Sequence, residues 1–284
     1  MTRRIEETLH EGMVAGFEAE EILHESRSGQ QHLCLIDNKI FGRMLFLDGV
    51  TQVAEADEFI YHEMLAHVPI LAHGAVRRVL IIGGGDGGMA EEVLKHPTVE
   101  AVTMVEIDPY VVDFSRQHLP GISRRAFDDP RLSLVYADGA RFVAESEQRF
   151  DVAIIDSTDP IGPGEVLFTE DFYGNARRVL AEGGILVTQN GVPFLQAEEL
   201  RQTMAVFRQI FAAPACYRAA VPSYVGGDMA FGWGSDAPEH LAVPVETLAE
   251  RYAAAGLETR YYTPELHNAA FVLPAFMRDL VAAA

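Results

Sequence analysis

Three aspartates lie in glycine- and proline-rich segments, where their carboxylates suit the binding of a cation. Asp86 is at the centre of GGGDGG, and Asp156 and Asp159 flank a Ser-Thr pair in DSTDPIGPGE. Carboxylates held close together repel one another unless a cation or a metal ion joins them. No His or Cys cluster has the spacing of a zinc site, which leaves magnesium or an organic ammonium as the partner.

The segment around Asp86 also has the pattern of a nucleoside site. Gly83, Gly85 and Gly88 form GxGxxG between an apolar segment and the start of a helix. The next apolar segment ends in Glu106, about twenty residues further on, where an acid typically binds ribose hydroxyls. Together the glycine loop and this acid favour a bound nucleoside over a tight turn with a solvated carboxylate.

The elements that must position these residues alternate between strand-like and helix-like segments. Helix candidates begin near Gly88, Pro109, Gly139 and Glu170. The pattern predicts a Rossmann-like, doubly wound α/β sheet with ligands beyond the carboxyl ends of its strands. Asp138 follows the third strand, where it would either cap a helix or accept a hydrogen bond from an adenine amino group. The predicted strands are RVLII, AVTMVE, LSLVYAD, FDVAIID and GILVTQN.

The first part of the chain has a different pattern. QHLCLI, KIFGRMLFLDG and VTQVAE are short apolar or alternating segments, separated by turn residues at Asp37-Asn38 and Asp48-Gly49. We predict a small β-rich domain over residues 1–56, with an exposed edge or face suited to oligomer contacts. The catalytic domain would span 57–284 and open with a helix in DEFIYHEMLAHV that ends at Pro69.

Composition limits the possible partners and compartment. The chain of 284 residues has a formal net charge of −20, which argues against nucleic acid and anionic membranes and suits a cationic small molecule. Cys34 and Cys216 are too few for a disulfide framework. No apolar stretch approaches the roughly 20 residues of a membrane span, and the N-terminus lacks a signal sequence. We expect a soluble, cytoplasmic protein.

Seven collinear motifs together resemble the spermidine synthases (polyamine aminopropyltransferases), particularly those of bacteria. The similarity covers nearly the whole chain and implies transfer of an aminopropyl group from decarboxylated S-adenosylmethionine to putrescine, giving spermidine and methylthioadenosine. It also implies a homodimer or homotetramer built through the N-terminal β domain. The nucleoside is a co-substrate, and neither a cofactor nor a metal is expected. The motifs are LDGVTQ, DEFIYHEML, GGGDGG, VEID, DSTDPIGPGEVLF, VPSYVGG and HNAAFVLP.

The resemblance carries over to individual residues. Asp156 matches the proposed proton acceptor, and Tyr61 would orient the attacking amine or relay its proton. Positions that match nucleoside-binding residues are Gln31, Gly83, Gly85, Asp86, Glu106, Ile107, Asp138, Gly139 and Pro163. Positions that match the polyamine channel are Tyr61, His62, Asp86, Asp156, Asp159, Gln189 and Tyr224.

Two positions differ from common family patterns. Ile5, in IEETLHEG, replaces an aromatic residue that often stands in this segment. His62 replaces a glutamine of animal relatives, and the alternative to its channel role is a local hydrogen bond on the helix face.

Three other functions fit only part of the sequence. An S-adenosylmethionine methyltransferase would share the fold and the ribose acid, but Asp86 would repel the methionine carboxylate. A nicotinamide dehydrogenase leaves DSTDP without a role. A silent nucleoside- or polyamine-binding homologue does not explain why Tyr61, Asp86, Asp156 and Asp159 are all present.

Overall fold

The computed structural model describes residues 3–27, 32–159 and 162–283, except for the side chain of Pro163. Within these residues a small N-terminal β region precedes a seven-stranded sheet with helices on both faces. This is the predicted Rossmann-like architecture with a β-rich appendage.

The N-terminal region contains six strands in two antiparallel sheets. The predicted turn at Asp48-Gly49 is confirmed: both residues have positive φ, 49° and 84°, as a two-residue hairpin turn requires. β1 pairs with β2, and β3 to β6 follow one another in order. The strands are β1 (Arg3–Glu7), β2 (Ala15–Ala19), β3 (Glu21–Arg27), β4 (His32–Asn38), β5 (Gly42–Leu47) and β6 (Val50–Ala54).

The larger sheet has the order β12-β13-β11-β10-β7-β8-β9. The five predicted strands are its parallel part, and β12 and β13 add an antiparallel edge that the sequence patterns did not predict. β7 lies between β8 and β10, so the chain adds β8 and β9 on one side of β7 and β10 and β11 on the other. Ligands bind at this point of reversal in such folds. Its strands are β7 (Arg78–Gly83), β8 (Ala101–Glu106), β9 (Leu132–Tyr136), β10 (Phe150–Asp156), β11 (Leu180–Gln189), β12 (Ala215–Ala220) and β13 (Asp228–Ser235).

Helices begin at the four positions where the sequence predicted them, Gly88, Pro109, Gly139 and Glu170. Asp108, Asp138 and Thr169 cap three of them by accepting backbone N–H hydrogen bonds. The 3₁₀ segments are Ala126–Asp128, Gly162–Phe168 and Pro238–Ala242. The α-helices are α1 (Glu58–His73), α2 (Gly88–Leu94), α3 (Pro109–His118), α4 (Pro120–Ser123), α5 (Gly139–Glu145), α6 (Glu170–Arg178), α7 (Ala197–Ile210), α8 (Val245–Ala255), α9 (Pro264–Ala270) and α10 (Ala275–Ala282).

The predicted end of the first helix at Pro69 is wrong. α1 continues through Pro69 to His73, and Gly74 in a left-handed conformation ends it. A proline inside a helix costs about 3 kcal/mol because it removes a hydrogen bond and crowds the preceding turn. Burial offsets this cost, since Val68 and Ile70 on either side lie in the core between the sheet and α8.

The N-terminal sheet is attached to the larger unit through one of its own faces. Leu33, Leu35 and Leu45 are fully buried and pack with Phe114 of α3 and Ile122 of α4. The alternate residues of β4 and β5 pack instead against Phe17 of β2. Because both faces are covered, this sheet is fixed close to the carboxyl ends of β7, β8 and β10.

Candidate active site

One pocket lies at the carboxyl ends of β7, β8 and β10, where the N-terminal sheet meets the larger one. It contains all the described residues that the family resemblance selected, from seven separate segments of sequence. Those residues are Tyr61, His62, Gly83, Gly85, Asp86, Glu106, Ile107, Asp138, Gly139, Asp156, Asp159, Gln189 and Tyr224. Gln31 and the side chain of Pro163 lie outside the part of the chain that the structure describes.

The glycine loop is pressed against the end of β10. Gly84 donates its backbone N–H to the Asp156 carbonyl at 3.1 Å. Gly83 has a φ of 86°, and a Cβ there would lie 2.0 Å from the same carbonyl oxygen. Only glycine fits this approach, which brings the Asp86 loop beside the Asp156 side chain.

Asp156 is the buried carboxylate at the centre of the pocket. Its Oδ1 accepts a hydrogen bond from the Tyr61 hydroxyl at 2.7 Å. Its Oδ2 is buried and has no hydrogen-bond partner among the described residues. Burial, followed by the nearby Asp86 carboxylate, raises the pKa of Asp156 to about 6, against the opposing effects of His62 and the Tyr61 hydrogen bond. Asp156 therefore has a free oxygen and a pKa suited to proton transfer near neutrality.

His62 forms an ionic bridge between two acids. Its Nδ1 lies 2.7 Å from Glu58 Oε2, and its Nε2 lies 3.7 Å from Asp86 Oδ2. Although burial alone would lower it, the carboxylates of Asp86 and Glu58 raise the pKa of His62 to about 10. The imidazole is thus cationic at neutral pH. The local bond on the helix face is therefore confirmed, and His62 also lines the pocket, while its role in a polyamine channel stays a prediction.

Asp86 has one oxygen committed to the loop. Its Oδ1 accepts the backbone N–H of Gly88 at 2.7 Å, which fixes the carboxylate at the start of α2. The other oxygen faces His62 and the pocket. A cationic ligand group here would meet a carboxylate whose position is already set.

The part of the pocket that is predicted to bind the nucleoside is formed by the ends of β8 and β9. Glu106 is 8% exposed, and its Oε1 accepts the Asp108 backbone N–H at 2.9 Å. Burial raises the pKa of Glu106 to about 7. Asp138 uses Oδ1 to cap α5 through Arg141 N. The capping reading of Asp138 is therefore confirmed, while contact with adenine stays a prediction.

Tyrosines and amides form the opposite side of the pocket. The rings of Tyr61 and Tyr224 meet edge to face with centroids 6.0 Å apart, and the Tyr224 hydroxyl donates to the Gln52 carbonyl at 2.5 Å. Gln189 donates to the Thr158 carbonyl and accepts from Gly191 N, so its amide joins two pocket loops. Asp159 accepts from Gln196 Nε2 at 2.7 Å, and burial raises its pKa.

Some pocket residues were not predicted. Glu7 and His10 lie within IEETLHEG, and Gln52 within LDGVTQ, so the quoted motifs contained them without marking their roles. Gln196 precedes an ordinary amphipathic helix and has no local signal. Ile5 packs in the N-terminal apolar cluster and is not among the described lining residues.

We expect Gly85→Ala to weaken nucleoside binding selectively. A Cβ at Gly85 would lie 2.9 Å from Glu106 Oε2 and 2.8 Å from Val111 Cγ1, so Glu106 must shift. The Kd of methylthioadenosine should rise about tenfold or more, because a hydrogen bond to a charged group contributes roughly 1.5–3 kcal/mol. Titration calorimetry measures this, with Gly174→Ala as the control, since a Cβ there meets nothing within 4 Å. Equal affinity in the Gly85 variant would contradict the assignment of Glu106.

The comparisons with known proteins decide the family. Residues 58–243 match the model of the spermine/spermidine synthase domain, and residues 2–55 match that of the spermidine synthase tetramerisation domain. The chain belongs to the spermine/spermidine synthase family. The predicted boundary between residues 56 and 57 stays a prediction.

Individual family members are similar over almost the full length. A polyamine aminopropyltransferase of Ruegeria sp. (strain TM1040) is 58% identical over 274 residues, which is 96% of each chain. Polyamine aminopropyltransferase 1 of Pseudomonas aeruginosa is 58% identical over 276 residues, 97% of this chain and 96% of its own.

Two crystal structures agree with the fold. A spermidine synthase in complex with the transition state analogue AdoDATO has a TM-score of 0.93 and 33% identity, covering 100% of this chain and 97% of its own. The spermidine synthase from Thermotoga maritima has a TM-score of 0.90 and 32% identity, covering 100% and 96%.

The described residues contain neither a metal-binding cluster nor a membrane-spanning helix. Across residues 3–27, 32–159 and 162–283, no group of three or more His, Cys, Asp or Glu side chains is arranged to hold a metal ion. None of the helices in those ranges is long and apolar enough to cross a membrane.

Proposed function

We propose that this polyamine aminopropyltransferase moves the aminopropyl group of decarboxylated S-adenosylmethionine to putrescine, producing spermidine and methylthioadenosine. The observation that carries the proposal is Asp156, which lines the same pocket as Asp86 and Tyr61 and whose buried Oδ2 has no hydrogen-bond partner among the described residues. The names of the full-length relatives support the transfer reaction, and the structural similarity to a synthase bound to AdoDATO supports the substrate pair.

The nucleoside would bind along the ends of β7, β8 and β9. Glu106 would accept the ribose hydroxyls, and Asp138 would accept from the adenine amino group with the oxygen not used in capping. Gly83, Gly85, Ile107 and Gly139 would form the surface against which the nucleoside packs, with Gln31 and Pro163 completing it. At Gly139 a Cβ would lie 2.4 Å from Ile82, so only glycine fits here without displacing Ile82 from the pocket wall.

Asp86 would hold the ammonium at the end of the aminopropyl chain. Its carboxylate is fixed by Gly88 N and lies 3.7 Å from cationic His62. S-adenosylmethionine carries an additional carboxylate next to that ammonium, which Asp86 would repel. This arrangement favours the decarboxylated substrate.

The chemical step is an in-line displacement at the carbon next to the sulfonium. The attacking ammonium of putrescine, with a pKa near 10 like that of lysine, gives one proton to Asp156. The free nitrogen lone pair then forms the N–C bond, while the C–S electron pair returns to sulfur. The sulfonium becomes a neutral thioether and leaves without needing an acid. Tyr61, bonded to Asp156 Oδ1, would orient the amine toward Oδ2.

Different acids would bind the diamine and remove its proton. Asp159 would hold the distal ammonium of putrescine, and Tyr224 and Gln189 would form the channel walls. The net charge of −20 would draw the dication toward the pocket. Apart from the two substrates, the scheme uses only side chains of this chain.

The activity should have an acid limb set by Asp156. Because burial and Asp86 raise its pKa to about 6, the carboxylate loses its proton-accepting form below that pH rather than below 4. With nucleoside saturating, kcat/KM for putrescine should fall about tenfold per pH unit below pH 6. Putrescine stays fully protonated in this range and adds no slope. If the residual activity of Asp156→Asn shows the same fall in kcat/KM below pH 6, the fall is caused by another group.

The oligomer is proposed to be a homodimer or homotetramer formed through the N-terminal β domain, residues 1–56. The match of residues 2–55 to a tetramerisation domain supports this. Light scattering of the purified chain would distinguish the two states.

The proposed reaction is tested by supplying decarboxylated S-adenosylmethionine and putrescine to the purified chain. Chromatography should find methylthioadenosine and spermidine in equal amounts. Failure to form either product would contradict the proposal.

A further inference from the structure

A second buried carboxyl group lies behind Asp159, linked to it by an amide. The Gln196 side chain has a fixed orientation, because its Oε1 accepts the Val192 backbone N–H at 2.8 Å. Its Nε2 therefore faces the acids and donates to Asp159 Oδ1 at 2.7 Å and to Glu199 Oε2 at 3.2 Å. One amide nitrogen thus joins two carboxyl groups.

Glu199 is buried in the first turn of α7, and only one of its carboxyl oxygens has a partner among the described residues. It is only 9% exposed, and its Oε1 has no hydrogen-bond partner among residues 3–27, 32–159 and 162–283. It is absent from the described lining of the pocket, whereas Gln196 and Asp159 line it. A buried carboxyl group with an unsatisfied oxygen is costly, and Gln196 links this one directly to Asp159 in the pocket.

We propose that Glu199 is a positioning residue for the diamine, which acts through Gln196 and Asp159 to strengthen binding of the distal ammonium when Glu199 is ionised. The proposal rests on the function proposed above and adds a pH-dependent control of amine affinity. No contact between Glu199 and the substrate is required.

The charges around Glu199 give the direction of the effect. Burial, followed by Asp159, raises the pKa of Glu199 to about 8, so it is protonated in the free enzyme at pH 7. Tyr173 on α6 also faces it, and Glu7 and His10 of the N-terminal region face Asp159. An ammonium at Asp159 favours the ionised Glu199, so diamine binding releases a proton. By linkage, affinity for the diamine rises as pH increases through 8.

The test compares Glu199→Gln with Glu198→Gln across pH 6–9. Glu198 is the adjacent residue of α7, carries the same charge and is exposed in an ion pair with Arg201. In the wild type and in Glu198→Gln, KM for putrescine should fall about tenfold between pH 6 and 9. In Glu199→Gln this fall should be lost, with kcat and the Kd of methylthioadenosine unchanged.

A monoamine provides a second readout. Butylamine lacks the distal ammonium, so its inhibition constant against putrescine should be the same in the wild type and Glu199→Gln at pH 8.5. Gln196→Leu removes the bridge but leaves Glu199 in place, and it should lose the same KM change with pH. This variant serves also if Glu199→Gln is unstable.

Three results would overturn the proposal. The first is that KM for putrescine changes with pH in Glu199→Gln and Gln196→Leu as it does in the wild type. The others are a loss of kcat with unaltered KM, or a change in the inhibition constant of butylamine as large as the change in KM for putrescine. Each requires active wild-type enzyme, so none of them can be confused with failure of the proposed reaction. That failure would appear as absence of transfer by the wild type itself.

Discussion

Asp156→Asn is expected to lower kcat by about 10³-fold, within the 10²–10⁴ range of general base catalysis. Asparagine keeps an oxygen to accept the Tyr61 hydroxyl but cannot take a proton from the attacking ammonium. Because Asp156 does not hold the adenosine, the Kd of methylthioadenosine should change by less than about twofold. Single-turnover rates and calorimetry measure the two effects.

The same substitution should stabilise the protein. A carboxyl group whose folded pKa is raised from 3.8 to about 6 costs stability at every pH above 6. At pH 7.5 the free energy of unfolding of Asp156→Asn should therefore exceed the wild-type value by up to about 3 kcal/mol. The gain should shrink as pH falls below 6 and disappear below 3.8, where the wild-type group is protonated in both states. Urea denaturation at several pH values measures this.

A suitable control for both effects is Asp113→Asn, which removes an exposed carboxylate of α3 outside the pocket lining. It should leave turnover and stability close to the wild-type values. Parallel losses of turnover and nucleoside binding in Asp156→Asn would instead make Asp156 a structural or nucleoside-binding residue.

Asp86→Ala should reduce the preference of the enzyme for decarboxylated S-adenosylmethionine over S-adenosylmethionine. Loss of the carboxylate removes the partner of the substrate ammonium, so kcat/KM for decarboxylated S-adenosylmethionine should fall about 10- to 100-fold. The substitution also leaves the His62 cation with Glu58 as a partner on Nδ1 but removes the acid beside Nε2, so this cation should attract the carboxylate of S-adenosylmethionine. The ratio of the dissociation constants of S-adenosylmethionine and decarboxylated S-adenosylmethionine should consequently move toward one.

Asp86→Asn separates charge from loop structure in this experiment. Asparagine can still accept the Gly88 N–H, so it keeps the start of α2 intact while removing the charge. The two variants should lose selectivity to a similar extent. Lost selectivity in the alanine variant alone would place the effect in loop geometry, and undiminished selectivity in both would contradict the role of Asp86.

The local sequence patterns predicted the sheet and much of the site for one physical reason. Parallel strands buried on both faces are continuously apolar, and their carboxyl ends meet at one edge, so Asp86, Glu106, Asp138 and Asp156 had to be near one another. The antiparallel edge of β12 and β13 was missed, because predicting strand pairing requires knowledge of distant neighbours. Pro69 was misread because the buried surroundings of α1 outweigh its local cost.

Other parts of the site depend on contacts that local patterns do not record. Tyr61 reaches Asp156 from a helix 95 residues earlier in the chain, and only the family resemblance selected it. Gln196 and Glu199 were missed because their importance comes from the orientation of one amide between two acids. Such an arrangement becomes visible only when α7 and the end of β10 are placed together.

The most direct test gives the wild-type chain putrescine with equal amounts of S-adenosylmethionine and its decarboxylated form. We predict that the decarboxylated nucleoside is consumed, that methylthioadenosine and spermidine appear one for one, and that S-adenosylmethionine is recovered unchanged. Formation of S-adenosylhomocysteine with a methylated amine would contradict the account, as would an unchanged mixture.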